Sequence, residues 1–282
     1  VAISPNCVIT TRHQDGNLQT LVEIAGHTYT IASIWDHPSA DLRIARLCGA
    51  NLMEFASIYQ NTGEVGRRTI IAGYGRGRGK FLWSQGRIYG YEWANSTNNK
   101  LRFGTNIIDR AENDDSLDTL TSDIIIADFD GLKIGKSTIY ETTPAQYDSG
   151  GGWFIKHAGI WKLAGLSRAI QPHYDDSDPN IVLRQSWFRD KANPVLPQPD
   201  QFDAVRLSSY AQWISSRIAA CTPGDLTGDG RVDIADFAVL AQFWLTFDCQ
   251  TKDHCLGADT EPDGDIDWFD LAEFAQHWLR PL

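Results

Sequence analysis

The chain has 282 residues, 42% of them hydrophobic and 11% aromatic, which is enough to build cores in two or three domains and excludes a disordered chain. The net charge of −11 is uneven: from Cys221 onward 13 acids face 3 bases, giving −10, whereas residues 1–220 hold 23 acids and 22 bases, giving −1. A short acidic segment beside a neutral one excludes a nucleic-acid-binding face and calls for cations. No apolar run is long enough to span a bilayer as a helix.

Taken in chain order, Val1-Ala2-Ile3-Ser4-Pro5 reads as the middle of a strand, so an upstream start with any export signal is expected. Apolar or β-branched runs at Cys7–Thr11, Leu21–Ile24, Thr28–Ile34, Leu42–Leu47, Thr69–Ala72, Gly86–Tyr91, Ile124–Asp128 and Trp161–Ser167 predict short strands in an all-β sandwich or barrel. Gly75–Gly79 reads as a turn, because it lacks the context of a phosphate-binding loop. Residues 189–203 read as an irregular connection, and Ser208–Arg217 as a short helix with Ser208 or Ser209 as N-cap.

Five cysteines leave at least one unpaired within the chain. Cys249 and Cys255 fit a local disulfide, and Cys7 could bridge to Cys48 if their strands are neighbours. With no CxxC pair, zinc is not expected, and an oxidising, secreted or cell-surface location fits best.

The acidic segment repeats at an offset of 34: Asp225-Leu-Thr-Gly-Asp229-Gly230 against Asp259-Thr-Glu-Pro-Asp263-Gly264. The same offset relates Phe237, Leu240, Ala241, Trp244 and Leu245 to Leu271, Phe274, Ala275, Trp278 and Leu279, positions that share one helix face. Two loop–helix units are expected to bury these faces against each other. Loop one offers Asp225, Thr227, Asp229, the Arg231 carbonyl, Asp233 and Asp236. Loop two offers Asp259, Glu261, Asp263, the Asp265 carbonyl, Asp267 and Asp270. This is the oxygen-ligand spacing of EF-hand loops, with the sixth-position glycine for the turn and Asp in place of Glu at the twelfth, and it predicts two Ca2+ ions. The segment 221–282 resembles the dockerin module, which implies a cohesin-like protein partner. Ile234, Ala235, Trp268 and Phe269, at the loop exits, are either docking anchors or part of the module's own core.

Residues 1–220 carry three motifs. Ile3-Ser4-Pro5-Asn6-Cys7-Val8-Ile9-Thr10-Thr11-Arg12-His13, His37-Pro38-Ser39-Ala40-Asp41-Leu42-Arg43-Ile44-Ala45-Arg46-Leu47 and Asp148-Ser149-Gly150-Gly151-Gly152 resemble, in that order, the histidine, aspartate and serine segments of trypsin-like serine proteases. Ala72-Gly73-Tyr74-Gly75 and the Val205–Arg217 helix are weaker likenesses. Singly, each motif has an ordinary reading as a surface histidine, a strand start or a turn, and the ordered trio carries the resemblance. It implies His13 as general base, Asp41 as its orienter and Ser149 as nucleophile, with no cofactor for catalysis. His27, His37, His157 and His173 lack such a context.

The resemblance also implies two antiparallel six-stranded barrels over residues 1–220, the first truncated at its N-terminus, followed by the helical calcium module. A chain truncated in this way is expected to be poorly soluble or inactive on its own. Tyr147, Asp148, Gly150 and Gly151 would form the nucleophile and oxyanion loop, and Thr143 and Ser167 the specificity pocket. Tyr147 stands where the family has glycine, and Thr143 provides no carboxylate to select Lys or Arg, so a small or apolar preference is expected. Val1 is not expected to supply the ammonium that pairs with Asp148 in that family, so Asp148 must take up a proton or find another donor. Two functions follow: a secreted endopeptidase acting on protein or peptide substrates, or a protease-fold binding protein that lost turnover through Tyr147.

Overall fold

A computed structural model of the chain describes residues 1–48, 50, 52–94, 100–117, 120–131, 135–219, 224–227, 231–249, 255, 257–260 and 263–279. It is mostly β with few helices, and it divides into two compact units.

The first unit comprises Val1–Pro38, Leu42–Ser57 and Tyr210–Leu282. It holds β1 (Cys7–Thr10), β2 (Val22–Ile24), β3 (His27–Tyr29), β4 (Ile31–Asp36) and β5 (Arg43–Leu47), with helices α1 (Ala211–Ala219), α2 (Ile234–Gln242) and α3 (Trp268–His277). Its sheet runs β1-β5-β4, all antiparallel, and buries Val8, Ile31, Ala45 and Leu47. Alternate residues of β1 and β5 supply that layer, as the two-residue period of a strand requires. Cys7 is disulfide-bonded and Cys48 keeps a buried thiol, so the Cys7–Cys48 bridge that the sequence left open does not form: Cys7 pairs across the ladder with Arg46, and Cys48 has left β5. Cys221 lies outside the described residues.

The second unit comprises Ser39–Asp41 and Ile58–Ser209. Its strands are β6 (Arg68–Gly73), β7 (Arg78–Ser84), β8 (Arg87–Trp93), β9 (Arg102–Ile107), β10 (Arg110–Leu117), β11 (Leu120–Asp128), β12 (Gly152–His157), β13 (Ile160–Ile170), β14 (His173–Tyr174), β15 (Val182–Leu183), β16 (Gln185–Trp187) and β17 (Gln201–Arg206). Seven of them form one sheet in the order β10-β11-β17-β13-β12-β6-β9. Trp153, Ile125, Ile155, Phe202 and Ala204 fill its core. Around it, Arg168 of β13 is held by Asp114 and by Asp203, the latter at 2.7 Å, and Glu64, fully buried, takes Arg206 at 2.8 Å and Ser208.

Several strands are absent from the hydrophobic pattern. The segment read as a turn at Gly75–Gly79 runs into β7, and the irregular stretch 189–203 ends in β17. β10 is Arg-Ala-Glu-Asn-Asp-Asp-Ser-Leu, with no apolar alternation, and it lies at a sheet edge, where charged residues deter further pairing.

The two acidic loops and their helices repeat in backbone detail. Asp233 and Asp267 are N-caps with the same φ of −139°, each accepting the amide two residues on, and Asp236 and Asp270 close reciprocal capping boxes. Leu245 and Leu279 both take positive φ, and their amides donate reciprocally, Leu245 to the Ile266 carbonyl at 2.9 Å and Leu279 to the Val232 carbonyl at 3.0 Å. Leu240, Phe274, Val232 and Ile266 make the shared core with the Cys249–Cys255 disulfide. Leu245 and Leu279 are exposed, not part of the buried face, because each helix has ended before them.

Candidate active site

His13 belongs to the first unit, in a single 3-10 turn (Arg12–Gln14) that follows β1, and its side chain is exposed. Asp41 and Ser149 belong to the second. Asp41 is fully buried, and its amide donates to Ser122 Oγ at 2.9 Å. Ser149 is half-buried in the turn that opens β12.

That turn is anchored by Asp148. One carboxylate oxygen accepts the Gly75 amide at 2.7 Å and the other the Ala145 amide at 2.9 Å. Burial pushes the Asp148 carboxyl up, and these two amides and the nearby Arg102 pull it back. From the sequence this carboxylate was expected to take up a proton or find another donor, and main-chain amides are donors to it here. Their presence explains Gly73-Tyr74-Gly75: a Cβ on Gly73 would stand 2.1 Å from the Asp148 carboxylate, and one on Gly75 2.5 Å from it. Beyond the serine, the Gly150 amide donates to the Ser167 carbonyl and the Ser167 amide to the Gly151 carbonyl, both at 2.8 Å. Ser167 Oγ in turn accepts the Trp153 indole at 3.0 Å.

Tyr147 takes φ 77°, the left-handed region that favours glycine. Its ring lies under Arg76, 5.3 Å from the guanidinium carbon, and Arg76 also bonds the Gln146 carbonyl and side chain. Arg76 thus braces the strained residue, a role that no motif spacing signals. Thr143 and Asp148 line a cavity of about 440 Å³, together with Arg76, Arg102, Tyr91 and Glu141. Ser167 does not line this cavity, so the two residues assigned to the specificity pocket are not brought together there. Burial pushes Glu141 up to about 7, against bonds from Thr138 and the Asp130 amide.

In the acidic loops, Asp229, Gly230 and Glu261 lie outside the described residues. Asp225, Asp236, Asp259 and Asp270 are buried, whereas Thr227, Arg231 and Asp263 are exposed and Asp233, Asp265 and Asp267 half-buried. Among the described residues no three acidic, His or Cys side chains converge on one point. Asp236 and Asp270 accept the amides of Thr227 and Thr260, tying each helix start to its loop. Asp259 fits a cation: its Oδ1 is buried without a hydrogen-bond partner, and burial and the Asp270 carboxylate push its carboxyl up to about 7. A divalent cation would satisfy both that oxygen and the crowded charge. Ile234, Trp268 and Phe269 are exposed, so these rings are not core.

No family model matches the chain, and no curated protein matches it. Among solved structures it is similar to neuropsin, a serine protease expressed in the limbic system of mouse brain, at 15% identity and a TM-score of 0.47, covering 77% of this chain and 87% of that one. It is also similar to the inactive form of the Rv3671c protease, at 13% identity and a TM-score of 0.42, covering 76% and 80% respectively. At scores below 0.5 these likenesses transfer no chemistry. Among the described residues no helix is long and apolar enough to cross a membrane.

Proposed function

We propose that the chain is a secreted or cell-surface serine endopeptidase whose C-terminal 62 residues (221–282) form a calcium-dependent docking module. Ser149 attacks the scissile carbonyl, passing its proton to His13, which Asp41 orients. The amine leaves with that proton, and water then releases the acyl group. The observation that carries this reading is the anchored turn: two amides grip the Asp148 carboxylate, and Ser167 clamps the glycines after Ser149. A turn held from both sides pre-organises the amides that stabilise a developing oxyanion. Tyr147 adopts the positive φ expected of glycine, which favours catalysis over a protease-like binding protein. The exposed Ile234, Trp268 and Phe269 are suited to anchoring a cohesin-like protein partner.

The test is labelling with a fluorophosphonate and hydrolysis of a peptide library. Ser149→Ala should abolish labelling and lower peptide hydrolysis by orders of magnitude. Retained hydrolysis in that variant would refute the assignment. A folded wild-type protein with its upstream sequence present that is inert to both would favour the binding-protein reading.

A further inference from the structure

The acidic loops repeat in sequence and in backbone, yet their surroundings differ. Arg46 of β5 is buried, and its guanidinium donates to the Asp225 carbonyl and, at 3.3 Å, to the Leu226 carbonyl, the first two positions of loop one. The buried Asp225 and Asp236 carboxylates lie within its electrostatic reach. Arg46 comes from outside the repeat, so the 34-residue duplication supplies no counterpart for loop two. Among the described residues, Asp259 in loop two meets no cation: its Oδ2 accepts the Gly264 amide at 3.1 Å, and its Oδ1 is buried without a partner.

We propose that the two calcium sites are unequal: Arg46 gives loop one a fixed internal cation, and loop two is the site that binds calcium tightly. The inference rests on the calcium reading above. A guanidinium held against loop one already offsets part of the field that attracts a divalent ion and repels the ion itself, so binding there is weakened. Loop two has the opposite problem. A desolvated carboxylate oxygen with no donor is costly, and a metal ion removes that cost. Arg46 is therefore a positioning and tuning residue for loop one, not a calcium ligand, and it ties the first turn of that loop to the strand that follows Asp41.

The test is calorimetric titration of the full chain, stripped of calcium, with calcium chloride. The wild type should show two sites that differ in affinity about tenfold or more, since ligand charge tunes such sites over decades. Asp259→Asn should remove the tight site and Asp225→Asn the weak one. Arg46→Gln, which keeps hydrogen-bonding capacity and loses the charge, should tighten the weak site about tenfold and leave the tight site unchanged. Two equal sites in the wild type, or loss of the tight site in Asp225→Asn, would overturn the inference and leave the calcium reading standing. A wild-type chain that binds no calcium would overturn both. If circular dichroism shows that Arg46→Gln does not fold, the two aspartate variants decide the matter.

Discussion

Replacing Gly75 with alanine should dislodge the nucleophile turn from a distance. The new Cβ would stand 2.5 Å from the Asp148 carboxyl carbon and 2.6 and 2.7 Å from its oxygens, where ordinary contact begins at 3.4 Å. Something must move by 0.9 Å, since 3.4 − 2.5 = 0.9. The atoms met belong to a short side chain whose two oxygens are held by the Gly75 and Ala145 amides, so it has little room to swing. Overpacking costs about 1–3 kcal/mol. Loss of a hydrogen bond to a charged acceptor adds about 1.5–3 kcal/mol. A destabilisation of about 2.5–6 kcal/mol is therefore expected in urea unfolding. Ser149 labelling should fall more than the loss of fold accounts for, because Ser149 adjoins Asp148. Asp148→Ala supplies the control: in that background Gly75→Ala should cost less than about 1 kcal/mol, the difference being the coupling energy. If Gly75→Ala unfolds at the wild-type midpoint and labels at the wild-type rate, Asp148 does not anchor this turn.

Three further outcomes are expected. Glu64→Gln should destabilise the chain by about 3 kcal/mol in urea, because it breaks a buried pair and leaves Arg206 without its carboxylate. Glu141 is held by burial at about 7, above its ordinary 4.5, so its protonated form favours the fold; stability should decline as the pH rises from about 4.5 through about 7, and Glu141→Gln should flatten that part of a pH–melting curve. Replacing Trp268 and Phe269 together with alanine should change the melting of the calcium-loaded chain little, within about 0.5 kcal/mol per exposed residue, while weakening capture of a docking partner; a collapse of the melt would mean that the rings pack into the module after all.

What was legible in the sequence was whatever repeats or alternates over short distances. The 34-residue repeat specified two loop–helix units, and their matching caps at Asp233 and Asp267 follow from residues three apart. Apolar runs such as Ile124–Asp128 and Trp161–Ser167 became β11 and β13, because a strand buried between neighbours needs β-branched and aliphatic side chains. The polar edge strand β10 was not legible, since its sequence carries no apolar alternation. The Asp148-Ser149 turn could be read as a motif, and so could the need of its carboxylate for a proton or another donor. That the donors are the Gly75 and Ala145 amides, and that Arg76 braces Tyr147, was decided by tertiary structure alone. The same holds for Arg46, which stands 179 residues before the loop whose carbonyls it binds. Local patterns are set by backbone geometry within a few residues. The partner of a buried charge is set by which distant strand the fold lays beside it, and no local spacing carries that information.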